Sequence, residues 1–159
     1  MKTTDATTVV QAIDKLGNVR TIPSSNIKFE YRKNDLPEDL IFLSASFKGT
    51  KSDSLKIQSE MNRLKNEKEK NQPSKIMTSG STFKNPILQT KKKVWELIKE
   101  SVPLDKSFGD AHISEKHCNF FVNKGEAKFE DMIKLIDFVK EKVLKKTGIK
   151  LEKEIKILK

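Results

Sequence analysis

Residues 40–48 narrow most sharply what this chain can become. Their alternate positions Ile41, Leu43, Ala45 and Phe47 are apolar, the two-residue period of a β-strand with one buried face, while Leu40 and Phe42 suggest partial cover on the other face. Shorter segments of similar character come first: 8–13, a turn at Lys15-Leu16-Gly17-Asn18, then 19–22 and 27–31. Strands so close in sequence, joined by short turns, form antiparallel sheet.

The period then changes. At Gly49-Thr50-Lys51-Ser52 the composition turns polar, Ser52 or Asp53 can cap a helix, and Ile57, Met61 and Leu64 lie one helical turn apart. A domain boundary is expected here, dividing the chain into 1–50 and 51–159. Residues 65–70 are almost wholly charged and read as a solvated helix end that Pro73 stops. A polar loop follows, then a helix over 91–100 with Val94, Leu97 and Ile98 on one face. Strand-like pieces come at Ala111-His112-Ile113 and 119–122. Phe129, Met132, Ile133, Ile136, Val139 and Val143 mark an amphipathic helix that ends near Gly148, with lysines in its last turn. A closing strand over 151–158 completes an α+β domain. The apolar stripe of the long helix is core.

Basic residues number 32 against 22 acidic, a formal charge of +10 that attracts nucleic acid, anionic lipid or a phosphorylated small molecule. Lysine dominates and arginine is scarce, whereas bidentate reading of phosphates and bases favours arginine. One Trp and one Tyr offer little stacking surface for single strands, so a basic nucleic-acid-binding module is the weaker alternative. No segment has the apolar length of a membrane span. Met1 is followed by Lys2-Thr3-Thr4-Asp5 rather than a secretory leader, and the lone Cys118 fits a reducing compartment, so the expected location is cytoplasmic. The six glycines form no GxG phosphate loop. His112, His117 and Cys118 lack a further ligand cluster, and no metal site is expected.

Ser79-Gly80-Ser81-Thr82-Phe83-Lys84-Asn85-Pro86 delivers a hydroxyl, an aromatic ring, a cation, an amide and a proline stop in quick succession. This run resembles the GS-x-FKNP signature of the UDP-N-acetylenolpyruvoylglucosamine reductase family. Three further stretches agree in order. Tyr31-Arg32 is similar to the family's YR. The run from Gly109 through Ala111, Ile113-Ser114, Lys116-His117 and Asn119-Phe120 to Val122-Asn123 is similar to its G-x-A-x-[IV]-S-x-KH-x-NF-x-[VI]N stretch, and Leu151-Glu152-Lys153-Glu154-Ile155 to its LExEV. The resemblance covers nearly the whole chain.

The resemblance implies a flavoenzyme of peptidoglycan synthesis that takes hydride from NADPH onto FAD and passes it to the enolpyruvyl double bond of a UDP-sugar, making UDP-N-acetylmuramate. By the same resemblance Ser81 is the general acid that protonates C2, Arg32 stabilises the developing enolate, Glu154 assists at the same end of the substrate, and Asn85 is a substrate-binding amide. Residues 1–50 become the tail of an antiparallel-sheet FAD-binding domain and 51–159 the C-terminal substrate-binding domain. His117 and Asn119 are expected to fasten a turn. The family's amino-terminal domain, whose glycine-rich loop cradles the FAD pyrophosphate, has no counterpart in this sequence. FAD binding by this chain alone is therefore expected to be weak or nil, and a separately encoded amino-terminal flavin-binding half is an expected partner. The alternative is an inactive remnant.

Overall fold

The computed structural model describes residues 3–158, which leaves the polar start at Met1-Lys2 outside the described residues. It is an α+β structure built from antiparallel sheets and helices. The chain divides into two compact units, Met1–Ile57 and Gln58–Lys159.

In the first unit a short helix, α1 (Thr3–Ala6), leads into β1 (Thr7–Ile13), β2 (Val19–Pro23), a 3-10 turn over Ser24–Asn26, β3 (Phe29–Glu30), β4 (Lys33–Asn34) and β5 (Ile41–Phe47). The order β2-β1-β5 puts β1 in the middle, with Val10 opposite Ile22 on one side and Ala45 on the other. Asp14 organises the β1–β2 turn. Its Oδ1 accepts the backbone N–H groups of Leu16 and Asn18 at 2.9 and 3.0 Å, and Gly17 takes a left-handed φ of 85° that its missing Cβ permits. These bonds, with Asn18 first, hold the Asp14 carboxyl below its ordinary range. Val10, Ala12 and Ile27 are buried.

Two expectations fail in this unit. The alternation of Ile41, Leu43, Ala45 and Phe47 does set a strand, but all seven residues of β5 are exposed. Periodicity fixes the pleat of a strand; burial needs a second layer, and β5 lies at the margin of its sheet. The strand expected over 27–31 is instead two residues long and turns back at Tyr31-Arg32 into β4.

Helix α2 (Ser54–Asn71) begins where Asp53 Oδ1 accepts the N–H groups of Leu55 and Lys56 at 3.0 and 3.1 Å, a carboxylate cap at the positive end of the helix. Its charged end is solvated as expected. The row Ile57, Met61 and Leu64, one helical turn apart as read, is exposed, and no residue of α2 is buried.

In the second unit follow β6 (Met77–Ser81), α3 (Val94–Ser101), β7 (Ser107–Phe108), β8 (Ala111–Ile113), β9 (Phe120–Asn123) and α4 (Phe129–Thr147). The sheet runs β6-β9-β8-β7. Val94, Leu97 and Ile98 of α3 and Leu135, Ile136, Val139 and Val143 of α4 meet Phe83, Ala111, Ile113 and Phe121 in one core, and Phe83 and Phe121 pack edge to face with ring centroids 5.8 Å apart. Gly148 closes α4 with φ 71°. Part of the expected polar loop after Pro73 is β6, whose sequence Met-Thr-Ser-Gly-Ser carries no apolar alternation and is held by its ladder to β9. The closing strand expected over 151–158 reduces to an isolated bridge between Lys153 and Phe83. Among the described residues no helix is long and apolar enough to cross a membrane.

Burial separates the two helix faces by energy. Ile98→Ala should destabilise the chain by about 2–5 kcal/mol in urea unfolding, through lost burial and a cavity, while Met61→Ala should stay within about 0.5 kcal/mol.

Candidate active site

Ser81 ends β6, opposite Phe120 of β9, after a register irregularity between Thr78 and Ser81. Gly80 just before it takes φ 88°, a left-handed conformation that glycine allows, with nothing within 4 Å of where a Cβ would stand. Thr78 steadies the irregular stretch: its hydroxyl donates to Phe121 O at 2.7 Å and accepts the Gly80 N–H at 3.2 Å.

Beyond Ser81 the chain is held from both sides. On the β9 side, Thr82 N–H donates to Asn119 O at 2.8 Å. The Asn119 side chain then does the work of a strand: its Oδ1 accepts Phe83 N–H at 3.0 Å and its Nδ2 donates to Phe83 O at 2.9 Å. Asn119 is 3% exposed, so both of its amide atoms are committed inside the protein. His117 fastens the turn before it, Nδ1 accepting Asn119 N–H at 3.3 Å and the carbonyl accepting Phe120 N–H at 2.9 Å. Burial pushes the His117 imidazole below its ordinary pKa, which suits a ring that accepts.

On the other side lies the carboxy-terminal segment. Glu154 N–H donates to Thr82 O and Lys84 N–H to Glu152 O, both at 2.9 Å, flanking the Phe83–Lys153 bridge. Lys84 and Glu152 form an ion pair on the same edge. Buried Leu151 seats the segment in the core, and Gln89 aligns it. Gln89 Nε2 donates to Lys150 O at 3.0 Å while its Oε1 accepts Lys150 N–H at 2.9 Å, the same two-way amide grip that Asn119 has on Phe83. Ser81 and Glu154, far apart in sequence, thus reach one place: the backbone of Glu154 is bonded to the residue after Ser81. Phe129, expected in the core, is 57% exposed and lines an open apolar cleft of about 620 Å³ with Ile133, Lys153, Ile157 and Leu158.

Asn85 Oδ1 accepts Val94 N–H at 3.0 Å and so ties the Phe-Lys-Asn-Pro run to the start of α3. Arg32, in the first unit, occupies the two-residue β3–β4 turn with φ 58°, a left-handed conformation that costs a non-glycine residue about 1 kcal/mol or more. Its guanidinium lies 5.6 Å from the centroid of the Tyr31 ring.

Residues 72–158 match the family model for the C-terminal domain of UDP-N-acetylenolpyruvoylglucosamine reductase. The chain belongs to this reductase family. It is 70% identical to the UDP-N-acetylenolpyruvoylglucosamine reductase of Pelagibacter ubique over 98% of this chain and 51% of that protein, and 45% identical to that of Rickettsia conorii over 96% and 50%. The crystal structure of the Thermus caldophilus reductase superposes with a TM-score of 0.78 at 28% identity, covering 96% of this chain and 53% of that one. The chain therefore spans about half the length of the curated relatives it matches. Ser81, Asn85 and Glu154 lie inside the stretch matched by the family model, and Arg32 precedes it.

For a reductase of this family, the glycines bear on whether these residues fit a flavin dinucleotide. Gly17 and Gly109 have positive φ in tight turns, Gly148 closes a helix, and a Cβ at Gly125 would meet the Asp110 carboxylate at 2.8 Å. None belongs to a glycine-rich loop opening a helix, the arrangement that cradles a pyrophosphate. Among the described residues no such glycine-rich pyrophosphate cradle is found. Sequence reading also missed Gln89, whose grip on Lys150 spans 61 positions and leaves no local pattern.

Asn119→Ala should cost about 3 kcal/mol, because it strands two buried peptide groups, and should raise amide exchange at 82–84. Since the folded His117 has the lower pKa, its contribution to stability is complete above pH 6.5 and is lost as pH falls through the lowered folded value. A series of melting temperatures against pH should show that slope, and His117→Gln should flatten it.

Proposed function

We propose that this chain is the substrate-binding and proton-donating half of an NADPH- and FAD-dependent reductase that converts UDP-N-acetylenolpyruvoylglucosamine to UDP-N-acetylmuramate for peptidoglycan, in the cytoplasm, with an amino-terminal flavin-binding half as its partner. The observation that carries the reading is the joining of two matched motifs: Ser81 ends a strand whose next residue is bonded to Glu154.

Reduction of the enolpyruvyl double bond adds hydride at C3 and a proton at C2, and this chain's residues answer for the proton. Ser81 Oγ–H is a weak acid, but the carbon it faces in the reaction is strongly basic, so a hydroxyl held close on a doubly braced strand suffices. As C3 gains hydride, negative charge spreads toward the substrate carboxylate. Arg32 is the fixed cation for that charge; its strained backbone is the kind of local cost that functional positions carry. Glu154, when protonated, donates to the carboxylate end. Asn85 contributes an amide to the substrate from the start of α3.

The test follows NADPH oxidation by the purified chain with FAD, with and without UDP-N-acetylenolpyruvoylglucosamine, alone and with the expressed amino-terminal half of the Pelagibacter relative. Substrate-dependent turnover in the combined mixture is expected; none in either mixture would mark the chain as an inactive remnant. Ser81→Ala should lower turnover about 100-fold or more while leaving substrate affinity nearly unchanged. A loss confined to affinity would count against the acid role.

A further inference from the structure

Thr82, between Ser81 and Phe83, is 1% exposed, and its Oγ1 is buried with no hydrogen-bond partner among the described residues. Its peptide group is fully used: the N–H donates to Asn119 O and the carbonyl accepts Glu154 N–H. A buried hydroxyl left without a partner costs about a factor of 10 in the folding equilibrium, and a valine of nearly the same shape would fill the space without that cost. An orphaned hydroxyl next to a candidate proton donor calls for a partner in another arrangement of the site.

The pairing of the two segments supplies that partner. Lys84 N–H to Glu152 O and Glu154 N–H to Thr82 O flank the Phe83–Lys153 bridge, so Lys84 stands opposite Glu152 and Thr82 opposite Glu154 in an antiparallel pair. Opposite residues send their side chains to the same face, with Cβ atoms about 4.5–5.5 Å apart, and the Lys84–Glu152 ion pair bears this out on the neighbouring rung. Phe83, between Thr82 and Lys84, turns the other way into the core. The Thr82 hydroxyl and the half-buried Glu154 side chain therefore share one rung and one face, and a glutamate side chain is long enough to span the gap.

We propose that Thr82 is a positioning residue for Glu154, whose carboxylate, once ionised, turns to accept the Thr82 Oγ–H. This deepens the reading given under Proposed function and rests on it for the role of Glu154. When Glu154 passes its proton to an oxygen of the substrate carboxylate, the O–H bond on Glu154 breaks and one forms on the substrate. The negative charge left on Glu154 is then met by the Thr82 hydroxyl, and a hydrogen bond to a charged acceptor is about twice as strong as a neutral one. Thr82 keeps its own proton and, being buried, does not touch substrate.

Two variants isolate the hydroxyl: Thr82→Val removes it at nearly constant shape, and Thr82→Ser keeps it. In the free chain at about pH 8, where carboxylates are ionised, Thr82→Val and Glu154→Ala should form a urea-unfolding cycle with a coupling of about 5-fold or more in the unfolding constant. With the expressed amino-terminal half of the Pelagibacter relative added, Thr82→Val should lower kcat about 10-fold or more and leave KM for the UDP-sugar unchanged, while Thr82→Ser should keep kcat within about 2-fold of the parent. The proposal is overturned if Thr82→Val stabilises the parent and the Glu154→Ala chain equally, the mark of a hydroxyl that is merely orphaned, or if kcat is the same for both Thr82 variants. Coupling in the free chain without substrate-dependent NADPH oxidation by the parent mixture would sink the reductase reading and leave this one standing; turnover by the parent without coupling would do the reverse.

Discussion

Asn119 has a buried amide whose oxygen and nitrogen are both bonded to the peptide group of Phe83. Where the turn at His117 takes the backbone away from β9, a strand neighbour for Phe83 is lost, and the side chain supplies it. A buried peptide group without partners costs about 1–3 kcal/mol for each orphaned atom, so this pair of bonds decides whether Phe83 can enter the core at all. With Phe83 in place, the next residues are free to accept the carboxy-terminal segment on their other side. The position of Ser81 before it and of Glu154 beside it follows from that one substitution of side chain for backbone.

Gln89 repeats the device on Lys150. Between them the two amides fix both chains that meet at the candidate site, and neither has a polar atom left over from its grip. Rigid support of this kind is what a weak acid such as a serine hydroxyl requires, because its contribution depends on being held within bonding distance of one carbon. The long helix α4 provides the bulk behind it: Leu135, Ile136, Val139 and Val143 are all buried. The first unit has no comparable mass, with a short list of buried side chains on a three-stranded sheet and an apolar margin turned to solvent.

Much of this was legible in residue order. Asp53 as a cap, the α3 stripe, the α4 stripe apart from exposed Phe129, and Gly148 as a helix stop are local matters of periodicity and capping, and they stand where the sequence puts them. The resemblance of four separated motifs led to the family that the matched residues 72–158 establish. Burial was less legible. Ile41, Leu43 and Phe47, like Ile57, Met61 and Leu64, have the spacing of core residues and yet are exposed, because a pattern specifies which face a side chain takes and not whether anything lies against that face. The strand expected at 151–158 failed for a related reason: one bridge to Phe83 is enough to seat Glu154, and the residues after it find no ladder.

The sequence by itself determined the elements, the caps and the motif residues, since these depend on neighbours within a turn or two of chain. Only the tertiary structure decided that Ser79 to Pro86 and Leu151 to Ile155 are adjacent, that Asn119 and Gln89 are the groups that hold them so, and that Asn85 is tied to Val94. Asn85 and Val94 are nine positions apart and the other contacts join residues separated by tens, and their partners are peptide groups that every residue possesses. No side-chain pattern marks which peptide group a buried amide will find.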